Sequence, residues 1–124
     1  MKGNNEALME RIMKAVNANL DDSDFNVEAL AEAAGLSRAQ LHRRMKELTG
    51  QTVGEFIRNL RLQQAAKLLA KGDLSVSQIT YAVGFSTPTH FSTAFKRYFG
   101  VSPSEYIAQH SEGLHIARRV QDGL

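Results

Sequence analysis

Apolar residues recur every three or four positions along most of the chain, which is the spacing of an amphipathic α-helix. Leu8, Ile12 and Val16 form one such stripe near the N-terminus, and Leu41 and Met45 belong to another. Stretches of alternating valine, isoleucine and threonine, which are typical of strands, are absent from the sequence. The pattern therefore predicts an all-α protein with about seven helices.

Polar capping residues and glycines mark the ends of these predicted helices. Four of the starts have the capping-box spacing, in which Ser or Thr is followed three residues later by Gln or Glu: Ser37 with Gln40, Thr52 with Glu55, Ser75 with Gln78, and Ser102 with Glu105. The helices are predicted over 5–19, over 27–34 with Asn26 as N-cap, between Ser37 and Gly50, Thr52 and Gly72, Ser75 and Gly84, and Thr87 and Gly100, with a seventh opening at Ser102-Pro103.

One segment of the chain occurs twice. Residues 27–37 (VEALAEAAGLS) recur 49 positions later as 76–86 (VSQITYAVGFS). Further pairs follow at an offset of 50, so one residue is inserted near Ser86: Leu41 and Phe91, Met45 and Phe95, Lys46 and Lys96, and Gly50 and Gly100. A short helix, a turn with glycine and a second helix form the helix-turn-helix pattern. The repeat predicts two such subdomains joined by a long helix.

The net charge of +2 conceals a strongly basic middle segment. Residues 1–37 carry −4, residues 38–97 carry +7, and residues 98–124 carry −1. A basic segment of this kind favours a polyanionic partner. Much of that charge lies on the third helix. Its predicted exposed face consists of Arg38, Ala39, His42, Arg43 and Lys46, and Arg44 lies to one side of this face. The second helix of such a motif can enter the major groove of DNA.

Several classes of protein are disfavoured by what the sequence lacks. Without cysteine there is no disulfide scaffold, thiolate zinc site or cysteine nucleophile. No apolar run approaches the roughly 20 residues of a membrane span, and no secretory signal opens the chain, so a cytoplasmic protein is expected. Neither a Gly-x-Ser-x-Gly elbow nor a glycine-rich phosphate loop occurs. We therefore expect neither enzyme activity nor a cofactor, a metal or a membrane partner.

Six segments of the repeated region carry a more specific signal: LAEAAGLSR at 30–38, LHRRMKELTG at 41–50, FIRNLRL at 56–62, AAKLL at 65–69, ITYAVGFS at 79–86 and FSTAFKRYFGVSPSEY at 91–106. In this order they resemble the DNA-binding domain of the AraC/XylS family of transcriptional regulators. The resemblance covers roughly residues 27–107. It implies sequence-specific binding of double-stranded DNA, with recognition helices 38–48 and 88–99 in successive major grooves.

The resemblance also implies which side chains contact DNA. Contacts to base edges are expected from Ala39, His42 and Arg43 in the first unit and from Pro88, Thr89, His90 and Thr93 in the second. Contacts to phosphates are expected from Arg38, Lys46, Arg58, Arg61, Lys96 and Arg97. Ala39 and Pro88 have no side-chain donor, so each offers only apolar contact, for example to a thymine methyl group.

The predicted organisation is an N-terminal helix over 1–20, helix-turn-helix units over 21–52 and 73–110, a linker helix over 53–72, and a tail over 111–124. The linker would span about 28 Å, close to the roughly 34 Å of one DNA turn, so a monomer could read both grooves.

The N-terminal helix is expected to join a sensor domain, and the resemblance implies RNA polymerase as a partner of the full regulator. For the tail over 111–124 three expectations stay open: native sequence, a segment added to the native sequence, or a disordered segment. A helical protein–protein interaction module without specific DNA binding remains the alternative.

Overall fold

The computed structural model describes residues 3–110, and within them the chain is helical, without a strand. The helices are α1 (Asn4–Ala18), α2 (Val27–Ala34), α3 (Arg38–Thr49), α4 (Val53–Lys71), α5 (Val76–Ala82), α6 (Pro88–Phe99) and α7, which is helical over 103–110. The predicted all-α class is confirmed, and the predicted bounds agree to within about two residues, the usual uncertainty of a helix end. The prediction for the tail, 111–124, lies outside the described residues.

The predicted capping boxes explain why the helices start where they do. Ser37 Oγ accepts a hydrogen bond from the Gln40 amide at 3.1 Å, and Gln40 Oε1 accepts one from the Ser37 amide at 2.9 Å. Ser75 and Gln78 repeat this pair at the start of α5 with the same two distances. Each box satisfies two amides that have no partner inside the helix, which stabilises that end of the helix.

The chain divides into two compact units within α4, after Arg61. The first core is built from α1 to α4 and contains Leu8, Ile12, Val16, Phe25, Leu30, Ala31, Ala34, Leu41, Met45, Val53, Phe56 and Ile57. Three of these residues belong to α1, so this helix is part of the first unit and not only a junction. The second core contains Leu62, Ala65, Ala66, Leu69, Ile79, Val83, Phe85, Phe91 and Phe95. Helix α4 therefore supplies buried residues to both cores.

The second core is rich in aromatic rings, and the first core has non-aromatic side chains at two of the equivalent positions. Phe91 and Phe95 are fully buried where the first unit has Leu41 and Met45. The rings of Phe95 and Tyr106 lie 5.5 Å apart in an edge-to-face arrangement, which joins α7 to this core. No helix among the described residues is both long enough and apolar enough to cross a membrane.

Candidate nucleic-acid interface

Both helix-turn-helix units use the same turn. In the first, the Leu36 amide donates to the Ala31 carbonyl at 3.0 Å and the Gly35 amide donates to the Glu32 carbonyl at 3.1 Å. This pair of bonds is the Schellman motif, which needs a left-handed residue after the helix, and Gly35 has φ +72°. In the second unit Gly84 has φ +86° and makes the same motif. The inserted residue of the repeat therefore lies between this turn and the start of α6.

Helix α3 presents the face that the sequence predicts. Ala39, His42, Arg43 and Lys46 follow the i, i+3, i+4, i+7 spacing of one helix side, and all four are exposed. On the opposite side, Leu41 and Met45 are fully buried in the first core. Packing of the apolar side thus fixes which way the helix faces and leaves the predicted base-contacting positions in solvent.

The cations of α3 differ in how strongly they are held. Arg38 pairs with Glu28 at 3.3 Å, and Arg43 pairs with Glu47 at 4.0 Å. The Arg38 and Arg43 side chains are 64% and 67% exposed, so water screens these pairs and they contribute little to stability. Both guanidinium groups are therefore available to another anion.

Arg44 has a different environment from the other arginines of α3. Its side chain is only 30% exposed, Nη1 lies 3.3 Å from Glu47, and Nη2 donates to the side-chain oxygen of Asn5 on α1. The prediction that Arg44 lies to one side of the exposed face agrees with this placement. Its partner is 39 positions away, so no local pattern could have identified the contact.

Helix α6 presents a face that is mostly neutral. Pro88, Thr89, His90 and Thr93 are all exposed, as predicted, and the only cations of the helix, Lys96 and Arg97, lie in its last turn. Neither cation forms an ion pair with another residue in the described part of the chain. Cations at this end also interact favourably with the helix dipole.

The two arginines assigned on α4 have unlike surroundings. Arg58 is exposed, whereas Arg61 is half-buried and its Nη2 donates to the Asp22 carbonyl at 2.8 Å. Burial lowers the pKa of the Arg61 guanidinium, and the charge of Asp22 opposes this by raising it. The same carbonyl accepts from the Phe25 amide at 3.1 Å. Arg61 therefore holds the loop that leads into α2.

Replacing Arg61 by alanine is expected to destabilise the first unit by about 1–3 kcal/mol, because the half-buried side chain is removed and the Asp22 carbonyl loses its charged donor. Urea unfolding followed by amide signals of α1 to α3 would measure the change. Arg58→Ala removes the same charge from an exposed position of the same helix and should alter stability by no more than about 0.5 kcal/mol. An equal loss of unfolding free energy in the two variants would contradict this role for Arg61.

Among the described residues, no group of three or more His, Asp or Glu side chains lies close enough together to hold a metal ion. The exposed side chains at the predicted base-contacting positions of α3 and α6 are hydrogen-bond donors, cations and apolar groups. Such a surface can bind an anionic, hydrogen-bonding partner by direct contact.

The sequence matches a family described as "Helix-turn-helix domain" over residues 30–109. "Histidine kinase P4" of Formosa agariphila is 38% identical over 107 residues, which are 86% of this chain and 8% of that protein. "HTH-type transcriptional regulator MtrA" of Neisseria gonorrhoeae is 42% identical over 85 residues, which are 68% of this chain and 28% of that protein. The chain thus spans less than a third of the length of these curated relatives.

Solved structures agree with the sequence relatives. A Chromobacterium violaceum transcriptional regulator described as having an AraC-type DNA-binding domain superposes with a TM-score of 0.79 at 30% identity, covering 85% of this chain and 93% of that one. The DNA-binding domain of AdpA, solved in complex with a target DNA, superposes with a TM-score of 0.74 at 32% identity, covering 94% of this chain and 96% of that one. The chain therefore belongs to the helix-turn-helix family of AraC-type DNA-binding domains.

Proposed function

We propose that this chain binds double-stranded DNA sequence-specifically, as the DNA-binding part of a transcriptional regulator. The observation that carries the proposal is the pair of helix-turn-helix units with identical turns, each of which leaves the N-terminal face of its second helix exposed. In motifs of this kind that face contacts base edges in the major groove. The AdpA domain, which covers nearly the same length of chain, was solved on its target DNA, and this supports the same partner here.

The two recognition helices would contribute differently to sequence readout. Arg43 can donate two hydrogen bonds to the O6 and N7 atoms of guanine, the commonest specific side-chain contact in the major groove. His42 supplies a further polar group beside it, and Ala39 offers a methyl group to thymine. In α6, Thr89, His90 and Thr93 supply weaker neutral contacts and Pro88 an apolar one. We therefore place the more stringent half-site under α3.

Affinity that does not depend on sequence would come from cations that reach phosphates. Arg38, Lys46, Arg58, Lys96 and Arg97 are exposed and suit this role. Lys46 Nζ donates to the Gly50 carbonyl at 3.0 Å, an exposed bond that a phosphate oxygen can replace. Arg61 already donates to Asp22, so we assign its contribution to DNA binding mainly to the loop that it holds.

Two further parts of the proposal concern the assembly. Because one chain contains both units, we propose that it binds as a monomer in the cytoplasm, with one half-site for each unit. We also propose that RNA polymerase is a partner of a longer regulator that contains this domain, since the relative MtrA is described as a transcriptional regulator and is longer than this chain.

Selection of binding sites from a random duplex library tests the function directly. The expected result is an enriched motif with two half-sites, in complexes whose mass corresponds to one chain per duplex. A library that shows no enrichment after repeated rounds would contradict sequence-specific binding. It would favour a helical protein–protein interaction module instead.

Arg43→Ala is expected to reduce affinity for the selected duplex by about 1–3 kcal/mol and to relax preference at one base pair of the stringent half-site. Binding to single-base-pair variants of that duplex, at constant salt, measures both effects. Arg11→Ala is a matched control, since it removes the same charge from an exposed position on α1. An equal loss of affinity for every duplex would show that Arg43 contacts phosphate and not a base.

A further inference from the structure

The start of α6 lacks the reciprocal bond that closes the caps of α3, α4 and α5. In α3, α4 and α5 the residue three positions after the cap turns its side chain back to the cap amide: Gln40, Glu55 and Gln78. In α6 the corresponding residue is His90. Its amide donates to Thr87 Oγ1 at 3.2 Å, so this half of the cap is kept. The His90 ring is not used in the cap and has another neighbour.

That neighbour is Phe85, the residue after the glycine of the second turn. The centroids of the two rings lie 5.5 Å apart with an interplanar angle of 82°, which is an edge-to-face contact. Phe85 is only 7% exposed, and its ring also contacts Phe91 in the core at 5.3 Å. Phe85 is therefore held by the core on one side and touches an exposed recognition-helix side chain on the other.

We propose that Phe85 is a positioning residue that holds the imidazole of His90 for a base contact in the second half-site. The proposal rests on the function proposed above. A side chain held before binding loses less conformational freedom when it makes a contact, and edge-to-face ring pairs favour one orientation. The first unit has Leu36 at the position of Phe85 and uses Gln40 in its cap, so it lacks this arrangement.

Phe85→Leu is the variant that separates positioning from packing, because Leu36 fills the same place after the same turn in the first unit. The probe is the duplex selected by the wild-type chain, with single-base-pair substitutions in the second half-site. Phe85→Leu should reduce discrimination at one base pair by about 2- to 12-fold. Affinity for unrelated duplex DNA should not change, since the exposed cations are untouched.

Two comparisons complete the test. Phe99→Leu is the matched control. The centroids of the Phe99 and Phe95 rings lie 4.5 Å apart, so this variant also removes a ring from the second core, but it should leave base-pair discrimination unchanged. His90→Ala should relax preference at the base pair affected by Phe85→Leu, and combining the two should add little to His90→Ala alone. Should Phe85→Leu lower the melting temperature so far that the unit unfolds, Phe85→Met supplies a longer apolar side chain without a ring.

The outcomes separate this inference from the proposed function. If the wild-type chain selects no site, DNA recognition itself fails. If it selects a site but Phe85→Leu keeps full discrimination, or affects another base pair than His90→Ala, only the positioning role is overturned. Fully additive losses in the double variant would also overturn it, because they would mean that the two residues act independently.

Discussion

Replacing Phe91 by alanine is expected to destabilise the second unit by about 3–5 kcal/mol, the range for removing a fully buried phenylalanine ring. Phe91 is 0% exposed, and the centroid of its ring lies 5.3 Å from that of Phe85 and 5.7 Å from that of Phe95. The truncation would therefore leave a cavity in the middle of an aromatic cluster that supports both the turn and α6. Binding to the selected duplex should weaken with it, since α6 would no longer be held.

Amide hydrogen exchange measures this effect unit by unit. Protection should fall in α5 and α6 and remain in α2 and α3, because the two cores share no buried residue. Tyr81→Ala is the matched control: this aromatic residue lies on α5 of the same unit but is 53% exposed, and removing its side chain leaves no cavity. An equal loss of protection in both units would show that the two cores unfold as one.

Raising the salt concentration from about 50 to 200 mM should weaken DNA binding about 500- to 2000-fold. This figure corresponds to neutralising about five or six phosphates, with a slope of log affinity against log salt of about −4.5 to −5.4. The cations that we assign to this effect lie on α3, α4 and α6. Titrations by fluorescence anisotropy with the selected duplex and with an unrelated duplex would measure the slope.

Variants identify which cations contribute to the slope. Arg97→Ala should make it shallower by about 1 for every duplex, since a phosphate contact carries no sequence information. Lys71→Ala should leave it unchanged, because Lys71 is the last residue of α4 and lies outside the assigned set. A nearly flat response of the wild-type chain to salt would contradict a phosphate-contacting surface.

Much of the fold could be predicted because its signals are local. The capping boxes of α3 and α5 involve atoms three residues apart, and each is read directly from two residue types. The left-handed residues that end α2, α3 and α6 are glycines, as predicted. The exposed face of α3 also follows from local spacing, because burying one apolar stripe determines which residues face water.

The contacts that the sequence did not predict join distant positions. Arg61 reaches the Asp22 carbonyl 39 residues away, and Gln63 Nε2 donates to the Tyr98 hydroxyl 35 residues away at 2.9 Å. The contact of Phe85 with His90 spans only five residues, but it depends on the turn that brings the rings together. Basic or aromatic residue types alone do not distinguish these roles.

By itself, the sequence determined the all-α class, the helix ends, the repeated helix-turn-helix pattern and the family, because each depends on residue type and spacing along the chain. Only the tertiary structure decided that α1 belongs to the first core, that Arg44 and Arg61 are engaged within that unit while Arg58 is exposed, and that His90 rests against Phe85. The reason is physical: burial and hydrogen-bond partners are set by packing between segments far apart in the chain. A charge counted in the sequence becomes available to DNA only where that packing leaves it in solvent.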